Sequence, residues 1–367
     1  MRTDGASAVG GLSCRASAAR VHHNGVVGSH TLAKSNATDD ANSGNEFVIF
    51  KRGWVRSWRL PTCMLILAVL FVTLAPRPSW ACACGCGVFE VGTASLFPSG
   101  SGGRFFLSYY FSDQNLNWHE AHKAPAADNG DKALRTHFFT LGAQYMFNRS
   151  WGVMAELPYA DRYFKTTGDD GNVQAFQHSA IGDVRVEGMY TGFSEDMSTG
   201  IRFGAKLASG DFTYPNFDRD TSIGSGSTDL LLGAYHIGTV PLTLWDRSLN
   251  WYGQILWDVP FWSQQQYHPG KEINAALGAL YNFGSVGFFE EVAPILSLIG
   301  GDRTRDRGAA ANFANSGYDR LLIGPGAEVQ VGIIRIYADA EFPIYENVVG
   351  NQLIAPVLLK AIFSYDF

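Results

Sequence analysis

Charge is scarce in this 367-residue chain: Asp, Glu, Lys and Arg together make up 17 % of it, against roughly 25 % in ordinary soluble domains. Basic residues are the scarcer sign, 28 Lys and Arg against 34 Asp and Glu, for a net charge of −6. A nucleic-acid partner is excluded on that ground, because binding one requires a basic face that displaces counterions. Long apolar runs are missing too. The longest, Cys63 to Ala75, is thirteen residues, short of the roughly 20 a spanning helix needs. Mean hydropathy, −0.04, is too low for a bundle of membrane helices. No phosphate-cradling loop with a Lys and no Cys-x-x-Cys-His haem site occurs, and His137, His178 and His236 stand beside no obvious nucleophile. The chain does not read as an enzyme.

Glycine and aromatic residues are plentiful instead: 41 Gly, 25 Phe, 15 Tyr and 9 Trp. Little charge, much Gly and aromatic, and hydropathy near zero are what a membrane β-barrel produces, since its strands alternate lipid-facing with lumen-facing residues.

The first hundred residues carry addressing signals. Residues 1–50 are rich in Ala, Ser, Gly and Asn without a sustained apolar period, which predicts a disordered extension or sequence upstream of the true start. In 51–83, Lys51, Arg52, Arg56 and Arg59 precede the apolar run. Ser79-Trp80-Ala81 and Ala81-Cys82-Ala83 then offer small-x-small cleavage sites. That order is a secretory signal peptide. Residues 1–83 hold nine basic and four acidic residues, leaving 19 and 30, so the exported chain carries 19 − 30 = −11. A Cys/Gly-rich periplasmic segment, 84–103, leads into the body of the protein, 104–367.

From Arg104 onward, period-two alternation predicts strands at 104–113, 135–147, 151–163, 179–192, 199–208, 227–238, 248–262, 272–283, 286–299, 318–331, 333–345 and 353–367. In 248–262, Leu249, Trp251, Ile255, Trp257 and Phe261 share one face, and Asn250, Tyr252, Gln254 and Asp258 the other. Short connections at 148–150, 194–197 and 284–285 oppose long polar ones at 114–134, 164–178, 209–226, 263–271 and 300–317. Short periplasmic turns with long outer loops are the asymmetry of an outer-membrane barrel. Pro158, Pro260, Pro294, Pro325, Pro343 and Pro356 fall in or near these strands, where each removes a ladder donor.

Alternation alone does not say which face is inside, and a soluble β-sandwich would bury the apolar one. Asp183, Arg185, Glu187, Arg202 and Lys206 are too many charges for a sealed core, and Trp and Tyr stand on the apolar faces as a membrane girdle would. The terminal Phe367 resembles the C-terminal aromatic of bacterial outer-membrane barrels that their assembly machinery reads. The expected fold is all-β: a transmembrane, antiparallel, up-and-down β-barrel of about 12 strands, in contact with bacterial outer-membrane lipid.

The middle third is more particular. Ile181-Gly-Asp-Val-Arg-Val-Glu-Gly-Met-Tyr190 is followed by Ile201-Arg-Phe-Gly-Ala-Lys-Leu-Ala-Ser-Gly-Asp211 and Ile223-Gly-Ser-Gly-Ser-Thr-Asp-Leu-Leu-Leu-Gly-Ala-Tyr235. This succession, over about 150–240, resembles the outer-membrane transporter family of the meta-pathway of phenol degradation. The resemblance implies a channel-forming barrel, often encoded beside aromatic catabolism. Ala208-Ser-Gly-Asp211 stands where that family often has Pro-Thr-Gly-Asp, a departure that bears on cargo more than on fold.

With the apolar faces toward lipid, the lumen receives Asp183, Arg185 and Glu187 from one strand, Arg202 and Lys206 from the next, and Arg335, Asp339 and Glu341 from a third. Two readings stay open: a constriction whose opposed charges orient polar solutes, or a salt-bridge ladder filling a narrow barrel. Cys82, Cys84 and Cys86 alternate with small residues at the predicted mature terminus. They could hold Cu(I) or Zn(II) as thiolates, or pair with a partner in the oxidising periplasm. Lipid attachment at Cys82 is disfavoured by Ser79 in place of the usual Leu. His119-Glu-Ala-His122 lacks metalloprotease spacing and reads as a solvated loop. No cofactor is expected, a metal ion at the cysteines being the one exception. The function expected is passive uptake or efflux of small solutes, hydrophobic or aromatic ones among them. The alternatives are a metal-binding outer-membrane protein using its cysteines, or a structural barrel without transport.

Overall fold

The computed structural model of the chain describes residues 93–242 and 247–367. The extension expected at 1–50, the signal peptide expected at 51–83 and the cysteines Cys82, Cys84 and Cys86 lie outside the described residues. Within them, one antiparallel sheet contains β1 (Gly102–Gln114), β2 (Leu116–Glu120), β3 (His122–Lys123), β4 (Asp131–Met146) and β5 (Trp151–Thr167). It continues through β6 (Val173–Ile181), β7 (Arg185–Tyr190), β8 (Thr199–Lys206), β9 (Ser227–Leu242) and β10 (Arg247–Ser263). The remaining strands are β11 (Glu272–Leu280), β12 (Glu291–Arg303), β13 (Tyr318–Val331), β14 (Ile334–Ile354) and β15 (Leu358–Asp366). Twelve of them, β1, β4, β5 and β7 to β15, pair in ring order, and the ring closes where β15 meets β1 with Arg104 opposite Asp366.

The alternation of the sequence decides which side faces out. In β10, Ile255 and Trp257 are exposed while Tyr252 and Leu256 are buried. In β14, Ile336 and Phe342 are exposed while Tyr337, Asp339 and Glu341 are buried. The apolar faces therefore cover the outside of the ring and the polar faces its inside, the reverse of a soluble core. Tyr145, Phe147, Trp151, Phe193, Phe283 and Phe288 add exposed aromatics near the end that carries the short turns. This is a membrane-spanning barrel of the bacterial outer-membrane type.

The structure moves several boundaries. The strand expected over 179–192 is two, β6 and β7, both lying along β5. Tyr159 pairs with Ile181 but Glu156 pairs with Arg185, so residues 182–184 accommodate one extra residue. The cause sits opposite: the Pro158 carbonyl accepts the Gly182 amide at 2.9 Å, and proline has no N–H to return. Pro260 and Pro343 likewise sit at register shifts in their strands. The strand expected at 286–299 begins at Glu291, because Val286 and Phe289 bridge each other in the turn before it. The strand expected at 353–367 starts at Leu358, since β14 continues to Ile354 and leaves only a short link. Part of the loop expected at 114–134 forms the hairpin β2–β3, with His119 opposite His122, extending from β14.

Candidate functional site

The inward faces enclose a chamber of about 160 Å³. One wall is mainly apolar, Phe106 and Tyr110 from β1, Phe138 from β4, Met154 from β5 and Ile362 from β15, with Glu156 and Lys360 set among them. The other is ionic: Arg185, Arg202, Lys206, Asp229 and Asp258 from β7 to β10. The two walls differ because inward positions of β1 and β4 carry aromatics where those of β7 and β8 carry charges, on the same period of two.

Residues 93–101 turn inward rather than away from the barrel. Phe97 stacks on Tyr235 with ring centroids 4.3 Å apart and meets Tyr252 edge-on at 6.0 Å. Arg104 Nη1 donates to the carbonyls of Ser95 at 2.6 Å and Phe97 at 3.3 Å. The Ser95 hydroxyl donates to Glu328, which also lies 3.5 Å from Arg335. Leu96 and Phe97 thus form part of the chamber lining on the side of the short turns.

On the opposite side, the loop 207–226 folds into the break between β6 and β7. Asp183, in that break, accepts the Gly210 amide at 2.9 Å, the Ser225 amide at 2.7 Å and the Ser225 hydroxyl at 2.5 Å. Arg162, fully buried on β5, donates to the carbonyls of Thr221 at 2.5 Å and Ser222 at 2.9 Å. The main chains approach closely: a Cβ on Gly210 would lie 2.6 Å from the Gly182 carbonyl carbon, and one on Gly224 the same distance from that of Gly210. Only glycine fits there. In this loop, burial pushes the Asp218 carboxyl and the Tyr214 phenol above their ordinary pKa values. His178 stacks on Tyr214 with centroids 3.8 Å apart and pairs with Asp211 at 2.9 Å.

The lumen candidates named from sequence face inward, but in four places. Glu187 and Arg202 form a two-point pair at 2.9 and 2.7 Å. Lys206 meets Asp258 at 2.7 Å and also Asp229, while Arg185 lies 4.0 Å from Glu156. Asp183 joins none of these cations and holds the loop instead. Across the lumen, Glu341 binds Lys360 at 2.7 Å, and Asp339 accepts the Tyr337 hydroxyl at 2.6 Å. Arg335 stands apart near the short-turn mouth, beside Glu328 and Gln330. Sequence reasoning did not count Glu156, Asp229, Asp258 and Lys360 among the lumen candidates, although it placed Asp258 on the polar face of its strand. Parity was the available signal, since each shares a face with a buried neighbour on its own strand: Met154, Leu231, Tyr252 and Ile362. Among the described residues, no group of three or more His, Cys, Asp or Glu side chains could hold a metal ion.

No family model and no curated protein matches this chain. Among solved structures, an outer membrane channel from Pseudomonas putida F1 is similar at a TM-score of 0.55 and 12 % identity, over 76 % of this chain and 100 % of that one. The β domain of the Bordetella autotransporter BrkA gives 0.42 and 13 %, over 73 % and 100 %. A Pseudomonas aeruginosa FadL homologue gives 0.35 and 8 %, over 72 % and 90 %. The first likeness is one of fold, and it is to an outer-membrane barrel.

Proposed function

We propose that the protein is an outer-membrane channel for passive movement of small solutes, hydrophobic or aromatic ones among them. The observation that carries this reading is the chamber inside the closed ring, with aromatic side chains on one wall and ions on the other. A merely structural barrel has no need of such a space, since interdigitating side chains can fill a narrow lumen. The resemblance to the phenol meta-pathway transporters supports a channel-forming barrel rather than a particular cargo. Its three segments meet at one place, where Gly182-Asp183, Ser209-Gly210-Asp211 and Gly224-Ser225 interlock through hydrogen bonds.

Passage through the short-turn end requires residues 93–101 to shift, so conduction in steps is expected. Phe367, whose amide and carbonyl pair with Gly103 at 2.8 Å across the seam, is the contact we assign to the assembly machinery. Planar-bilayer recording of the purified chain, with liposome swelling in phenol-type solutes, tests the function. Discrete conductance steps and solute-dependent swelling are expected. A silent bilayer and inert liposomes made from correctly folded protein contradict it and leave a structural barrel.

A further inference from the structure

We propose that the chamber prefers cations, and that among organic solutes it favours an apolar body bearing an ammonium group over the matching carboxylate. This rests on the channel reading and assigns its charge class.

Two ionic clusters hold more acids than bases, within a chamber lining that as a whole sets five carboxylates against five cations. Arg185, Arg202 and Lys206 are surrounded by Glu156, Glu187, Asp229 and Asp258. Across the lumen, Lys360 is held by Glu341 with Asp339 close by. The bases are also already engaged. Arg202 is gripped at two points by Glu187, Lys206 by Asp229 and Asp258, and Lys360 by Glu341. An incoming anion would have to displace a carboxylate from each. An incoming cation would not.

Glu156 points the same way from a separate observation. Its side chain is 8 % exposed, it lines the chamber, and its Oε2 has no hydrogen-bond partner, the nearest cation being Arg185 at 4.0 Å. Phe97 and Phe106 line the same chamber, and aromatic ring faces attract cations; Phe138 and Tyr110 already show this with Arg162 at 5.4 Å and Lys360 at 6.0 Å. Carboxylates excess to their partners are how cation channels are lined, and a low-dielectric wall behind them concentrates the effect. An ammonium on an aromatic body can meet both walls at once, whereas a benzoate meets the rings but finds the bases occupied.

The test is the reversal potential of the full chain in planar bilayers under a KCl gradient, with swelling of proteoliposomes in benzylammonium and in benzoate. Potassium should pass roughly tenfold more readily than chloride, and benzylammonium faster than benzoate. The Glu156→Gln/Asp258→Asn variant should bring both ratios toward unity, and Glu156→Gln alone should shift them partway. Heat-modifiable migration on gels confirms that each variant is folded. A reversal potential of chloride sign, or equal rates for the two organic ions, overturns the charge assignment while leaving a channel. Folded protein that passes neither ion overturns the channel reading and this inference with it.

Discussion

Asp183 and Ser225 lie 42 positions apart and are joined twice: the Ser225 amide and hydroxyl both donate to Asp183 Oδ2, at 2.7 and 2.5 Å. The other carboxylate oxygen accepts the Gly210 amide. One side chain in a break of the barrel wall therefore holds both ends of the loop that folds over the chamber. The break exists because Pro158 cannot complete the ladder there, and the acid released from the ladder is the one that grips the loop.

Asp183→Asn replaces one acceptor oxygen by an amide that faces N–H donors. Hydrogen bonds to a charged group are worth roughly 1.5–3 kcal/mol each, so the loop should open while the barrel stays closed. Limited proteolysis in detergent should cut within 207–226 at least tenfold faster than in the parent. Unchanged protection would show that Arg162 alone anchors the loop.

Gly210→Ala places a methyl 2.6 Å from the Gly182 carbonyl carbon. Backbone on both sides cannot yield as a flexible side chain would, and overpacking of this kind costs roughly 1–3 kcal/mol. Gly171→Ala is the control in space, because nothing lies within 4 Å of a Cβ there, although its positive φ carries a strain of its own. Urea unfolding in detergent should show a loss for the Gly210 variant that exceeds that of the control.

The buried pair Lys360–Glu341 should behave asymmetrically. Removing one partner, as in Lys360→Met, strands a carboxylate with Asp339 beside it and should cost roughly 3–5 kcal/mol. Removing both, as Lys360→Met/Glu341→Leu, should recover most of the loss. Equal destabilisation in single and double variants would show that lumen water, rather than the pair, solvates these charges.

Much of this architecture was legible because a strand's period of two survives any tertiary detail. Trp257 and Tyr252 differ by an odd number of positions, and the structure puts one outside and the other inside. The inward direction of Glu187, Arg202, Lys206, Asp339 and Glu341 followed from the same parity. What parity does not carry is an extra residue: the bulge at 182–184 leaves its trace only as Pro158 on a neighbouring strand. Nor does it carry the fate of segments outside the strands. Phe97 looks like any loop aromatic in sequence, and only the fold shows Tyr235 and Tyr252 waiting for it. Arg335 shares the inward parity yet lies at the short-turn mouth beside Glu328 and Gln330, because a face says nothing about depth along the barrel.

Phe97→Ala should loosen the inner segment. The lost stacking is worth roughly 1 kcal/mol, which raises the open fraction about fivefold. Single-channel recording should show longer open intervals at unchanged step size. Identical open times would mean that the polar contacts of Arg104 and Ser95 seat the segment without Phe97.

The loop should also respond to pH through Asp218, whose carboxyl burial pushes up. Below the unfolded carboxylate range the group is neutral in both states and burial costs it nothing. As pH rises through the raised folded value, the charge must be buried and that stability is lost. Asp218→Asn should therefore protect the loop from proteolysis better than the parent at about pH 7, and equally at about pH 3. A gain of the same size at both values would contradict the assignment.

The central claim is that the apolar faces of the strands meet lipid while the polar faces enclose the chamber. Trp257, 40 % exposed on the outside of β10, reports on it directly. In a variant with Trp257 as the only tryptophan, fluorescence should be strongly quenched by brominated acyl chains in reconstituted bilayers and little affected by aqueous acrylamide. Indifference to the brominated lipid, with or without access to acrylamide, would place that face somewhere other than the membrane and contradict the account.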